Sequence, residues 1–183
     1  MKPDQQTIDE FVGAAHGDFD TVNRLLAQYP DILNLPASWG EHAIQAAAQT
    51  GRAEIAERLL AAGAPLDICT AAMLGNATQV KAFLARDSSL AHATGAHNLP
   101  VLYHAAVRGQ IPIAEILIQH GTHVNAGEGK NTALHGAVFF GQIEMVKWLV
   151  AHGANVNALD HEGRTPHALA IKAGQTEIAG LLE

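Results

Sequence analysis

Eleven histidines, one cysteine and a glycine-rich AGEGKNT segment are the residues of this chain whose types could carry chemistry. The segment has the Gly-Lys of a phosphate-binding loop at Gly129 and Lys130. It fails the rest of that pattern: the loop's first Gly would fall where Val124 stands, and Lys130 precedes Asn131 instead of Ser or Thr. It reads as a turn. His161-Glu162 does not open a zinc-protease helix, because Thr165 stands where the second His is needed. Ser38, Ser88 and Ser89 lie in links, and none sits in a nucleophile elbow. Cys69 is alone, so no internal disulfide forms, and it reads as a small buried apolar residue. No nucleophile–base pair can be named. The expectation is no catalytic residue, no metal, no cofactor and no enzyme activity.

A repeat positions these residues. A Gly closes a short Ala-rich segment at Gly17, Gly51, Gly75, Gly109, Gly141 and Gly174, in steps of 34, 24, 34, 32 and 33 residues. Each copy is a unit that cannot bury its apolar face alone, so the copies must stack. The fifth is the most regular: NTALHGAVFFGQIEMVKWLVAHGANVNA, from Asn131 to Ala158. Thr132 is placed to N-cap a first helix carrying Leu134, Ala137 and Val138. Gly141 ends that helix, where a residue without Cβ can take positive φ. Met145, Val146, Leu149 and Val150 form the apolar stripe of a second helix, closed by Gly153. The pairs Ala47/Ala48, Ala71/Ala72 and Ala105/Ala106 allow close approach of neighbouring copies.

The short step makes copy three the exception. LDICTAAMLG runs from the Gly63 loop straight into a helix, with Asp67 as its N-cap, so this copy should lack a projecting finger. Gly17 to Gly75 and Gly51 to Gly109 are both 58 residues, so the first four copies look like a duplicated pair.

Phrase, period and tail together resemble the ankyrin-repeat family, from Thr7 to the last residue. The carriers are TALHGAVFFG (Thr132 to Gly141), TPHALAIKAG (Thr165 to Gly174) and LYHAAVRG (Leu102 to Gly109), with the tails AAGAPLD, QHGTHVNA and AHGANVNA. The resemblance implies an all-α solenoid of stacked helix-turn-helix units with short β-hairpin-like loops, the third lacking its hairpin. It implies one domain over 1–183, with repeats near 7–36, 37–65, 66–94, 95–126, 127–159 and 160–183. It also gives most histidines a structural role. His135 bonds backbone around its hairpin. His120 and His152 stand one repeat apart at equivalent places, too far for one zinc, whose ligand nitrogens lie within about 2.1 Å.

In that family partners lie in the concave groove, touched by hairpin tips and by the last two residues of each first helix. Carried over residue by residue, the tips give Trp39, Leu99, Asn131 and Arg164. The helix ends give Met73, Leu74, Val107, Arg108, Phe139, Phe140 and Lys172. In a regular stack Met73, Leu74, Val107, Phe139 and Phe140 form one continuous apolar stripe, the mark of a binding surface. Arg108 stands beside it to pair with a carboxylate. The competing reading turns one residue of each pair, such as Phe139, into the core. Trp148 is expected to cover a neighbouring helix.

The net charge is −7 and no basic run exists, which argues against nucleic acid or an anionic membrane as partner. The start has no apolar signal core and no stretch is long enough to span a bilayer, so a cytoplasmic location is expected. The expected function is a non-enzymatic scaffold that binds a protein or peptide in the groove. Two alternatives stay open: a small-molecule or catalytic pocket built from the stripe with Arg108, His104 and His97, and self-association. A monomer is expected over a homo-oligomer.

Overall fold

The computed structural model describes residues 2–183. Twelve α-helices lie among them, packed as six pairs. These are α1 (Gln5–Ala14) with α2 (Phe19–Gln28), α3 (Ala43–Gln49) with α4 (Ala53–Ala61), and α5 (Ile68–Met73) with α6 (Ala77–Arg86). Then follow α7 (Val101–Ala106) with α8 (Ile111–Gln119), α9 (Ala133–Phe139) with α10 (Ile143–Ala151), and α11 (Pro166–Lys172) with α12 (Thr176–Gly180). The first helices stack in a single row, each on the next, from α1 to α11. Small side chains make that row possible: Ala47, Ala71, Ala105, Ala137 and Ala170 are fully buried along it.

The helix starts follow local chemistry. Asp4, Asp18, Asp67, Asn76, Thr132 and Thr165 each accept the amide three residues on, satisfying one free first-turn donor. The ends of α3, α5, α7, α9 and α11 share one device. The residue after the Gly turns its amide back to the carbonyl five positions earlier, as Arg52 does to Ala47 and Gln142 to Ala137, both at 2.8 Å. That turn puts Gly141 at φ +67°, the left-handed region where Gly is unstrained.

In copies two, four and five the same residue ties the copy to the one before. Arg52 Nε donates to the His16 carbonyl at 2.8 Å, Gln110 Nε2 to that of Met73 at 3.4 Å, and Gln142 Nε2 to that of Val107 at 3.2 Å. Copy three holds Asn76 at this place, and its side chain caps the Gln79 amide instead. The missing tie is supplied from further along: Arg108 of copy four donates to the Gly51 carbonyl of copy two at 3.1 Å.

The links between copies are tight turns. Among the described residues there is no strand, only an isolated bridge from Thr94 to Pro100. Fingers two, four and six close with the same amide-to-carbonyl bond, Ala37 to Glu41, Gly95 to Leu99 and Asp160 to Arg164. Copy three has no such finger, as expected, and α5 starts directly at its Asp67 cap.

The gap this leaves is closed. The fourth finger carries a 3-10 turn (Ala96–Asn98) that packs against α3, and α3 also touches α7 across the short α5. Leu99, Tyr103, Val107 and Met73 join the apolar cluster of copies one and two, while the remaining core runs through copies three to six. This overturns the exposed stripe. Met73 and Val107 are 0 % and 1 % exposed, and Leu99 is buried beside them. Copy three has no finger of its own, and the fourth finger and α3 cover its helix end. Leu74 is half-buried against the same cluster.

Candidate functional site

Where the fingertips face the ends of the first helices, the surface opens into a cleft of about 490 Å³. Leu99 and Tyr103 line its buried part, and Phe139 and Phe140 its exposed part. His97, Lys130, Asn131 and His161 come from the fingertips, and Gln49 and Thr50 from the end of α3. The two Phe rings stand edge to face, with centroids 5.0 Å apart and an interplanar angle of 71°. Phe139 is 66 % exposed, a large apolar side chain left in water. Phe140 is half-buried and packs on the core of the first two copies. The reading that turned Phe139 inward is thus replaced by a division of labour: Phe140 packs and Phe139 projects.

Tyr103 was not singled out from the sequence. Counting back from the closing Gly, it stands where copy five has His135. Its ring passes so close to Gly136 that a Cβ there would lie 2.8 Å from it. Lys130 was read only as part of a failed phosphate loop, although it immediately precedes the fingertip residue Asn131.

Beside the cleft lies a polar knot centred on Glu41, whose side chain is almost wholly buried. Its carboxylate accepts from Gln49 Nε2 at 2.7 Å and from Trp39 Nε1 at 2.9 Å. His16 and His97 approach it at 3.6 and 3.7 Å. His97 is held at φ +55°, unusual for a residue with a Cβ and typical of strain kept by its surroundings. Trp39 is half exposed but is fixed by Glu41, so it braces finger two.

A second depression of about 480 Å³ adjoins the cleft and shares Thr50 and Phe140 with it. Arg52 and Arg108 both line it. A third, of about 220 Å³, reaches to copy six. There Arg164 is already engaged, with Nε 2.8 Å from Asp160 and Nη1 2.7 Å from Glu162. Burial works to raise the Asp160 carboxyl, but the hydrogen bonds from Arg164 and Glu162 prevail and hold it below the usual range. Arg164 therefore braces finger six, and its charge is spent internally. Lys172 is exposed and lies outside these depressions.

The histidines have local roles. His135 forms a capping box with Thr132 and reaches the Arg164 carbonyl at 3.2 Å. His120 and His152 bond the Ile116 and Trp148 carbonyls, and the His152 ring stacks on Trp148, whose indole packs on the core. His104, set beside His97 in the pocket alternative, is 1 % exposed and does not line the cleft. Burial drives the Cys69 thiol strongly upward, so it stays protonated. Among the described residues no three His, Cys, Asp or Glu side chains come together as a metal site.

A family model described as ankyrin repeats (3 copies) matches residues 11–126, 68–160 and 125–183. The chain belongs to the ankyrin-repeat family. A search of curated proteins finds no match. Ankyrin repeats are in general protein–protein interaction modules and typically non-enzymatic scaffolds. Among the described residues of this ankyrin-repeat chain, no helix is long and apolar enough to cross a membrane.

Proposed function

We propose that this ankyrin-repeat chain is a non-enzymatic scaffold that binds a protein segment in the cleft beside Phe139. The observation that carries the reading is Phe139 itself, exposed at the mouth of a concave space with the Phe140 edge behind it. Aromatic rings in such a setting are the usual anchors of a protein interface. The Asn131 amide at the same cleft offers hydrogen bonds to an extended backbone.

Because Phe139 is exposed, replacing it separates binding from folding. Phe139→Ser is expected to lower affinity for peptides selected on the wild-type chain by roughly thirtyfold, about 2 kcal/mol. Its melting temperature should stay close to that of wild type, as for most surface changes. Fluorescence polarisation with short selected peptides measures the first and circular dichroism the second. Unchanged peptide affinity would exclude the cleft as the binding site.

A further inference from the structure

The chain is acidic overall, yet three basic groups on the cleft side stand without acidic partners. Arg24 pairs with Glu10, Lys147 with Glu144 and Glu177, and Arg164 with Asp160 and Glu162. Among the described residues the other eight Lys and Arg side chains pair with no carboxylate, and Arg52, Arg108 and Lys130 are three of them. All three line the two adjoining depressions. The nearby Glu41 is buried and already bonded to Trp39 and Gln49.

Arg52 and Arg108 line one depression. Arg108 donates to the Gly51 carbonyl at 3.1 Å, and the Arg52 guanidinium lies against Gly17 of copy one. Arg52 spends its Nε–H on the His16 carbonyl. Each guanidinium has five N–H donors, so most remain available to an acceptor. Two guanidinium groups without a carboxylate partner in one depression beside Phe140 make a site for carboxylate, which Arg binds in bidentate fashion.

We infer that the occupant is an acidic protein segment. A bulky apolar side chain sits against Phe139 and Phe140, and a carboxylate close to it in sequence sits in the depression that Arg52 and Arg108 line. Lys130 at the far rim favours a second acidic residue on the other side of the anchor. This inference rests on the cleft being the binding site, and it adds the charge of the partner.

The test selects short random peptides by phage display on the full chain at low salt. Enriched peptides are then measured by fluorescence polarisation against wild type, Phe139→Ser, and the double variant Arg52→Gln with Arg108→Gln. Gln fills the place of Arg52 in copies four and five, where it makes the equivalent bond, so Arg52→Gln removes charge and keeps that tie; Arg108→Gln gives up the bond to the Gly51 carbonyl, so melting is measured on the same samples. The enriched peptides should be net negative with a bulky apolar residue. They should bind the double variant about tenfold more weakly, and their affinity for wild type should fall as salt rises. Should the double variant fail to fold, Arg108→Gln alone carries the same expectation at about threefold. Neutral or basic peptides that need Phe139 yet bind the Gln variants at full strength would overturn the acidic assignment and leave the cleft reading intact. Salt-independent binding would do the same. Peptides indifferent to Phe139→Ser, or no enrichment at all, would overturn both.

Discussion

Met73→Ala is expected to destabilise the chain by about 3 kcal/mol while leaving peptide affinity unchanged. The side chain is wholly buried in the cluster it shares with Leu99, Tyr103 and Val107, so truncation leaves a cavity among residues that cannot all collapse inward. Urea denaturation followed by circular dichroism measures the loss. Stacked repeats often unfold in more than one step, so the transition to watch is that of the amino-terminal half. A loss under about 1 kcal/mol together with weakened peptide binding would return Met73 to the surface of the cleft.

The second large effect is with acid. His104 is buried in the same region, and the Ala48 and Leu99 carbonyls lie near its ring nitrogens without forming well-aligned hydrogen bonds. Burial pushes its pKa down to about 4; the Ala48 and Leu99 carbonyls and the charge of Asp67 oppose this without overcoming it. The unfolded chain takes up the same proton near pH 6.5. Between those two values the unfolded state holds more protons, so stability falls as pH drops through that window and is unaffected by this group above it. The full effect is about 3 kcal/mol. His135 is shifted in the same direction, chiefly by burial, and adds to the slope. Denaturation midpoints measured across this range on wild type and on His104→Leu decide the matter. A His104→Leu chain with the whole acid slope intact would show that His104 is not its source.

The repeat was legible in the sequence because its period is a property of spacing, and the six Gly marks place every helix pair. Thr132 and Asp67 were legible as caps because an N-cap depends only on residues three apart. The burial of Met73 and Val107 was not. They occupy the same place in their copies as the exposed Phe139, and residue type alone does not separate them. What separates them is which neighbour roofs the helix end, and that follows from the length of copy three. Arg164 had the right type for a partner contact, but Asp160 four residues earlier already holds it. Tyr103 and Lys130 are readable in principle, since alignment on the closing Gly sets Tyr103 level with His135 and Lys130 beside the fingertip Asn131.

The bond from Arg108 to the Gly51 carbonyl changes how the stack can come apart. In a solenoid held only by nearest neighbours, any joint can open independently and ends can fray one unit at a time. Here copy four grips copy two directly, through that bond and through His97 beside Glu41. Copies two, three and four therefore open together as one cooperative block, and hydrogen exchange would report a shared opening for α3, α5 and α7. The shortest repeat, which by itself is the weakest, is the one clamped on both sides.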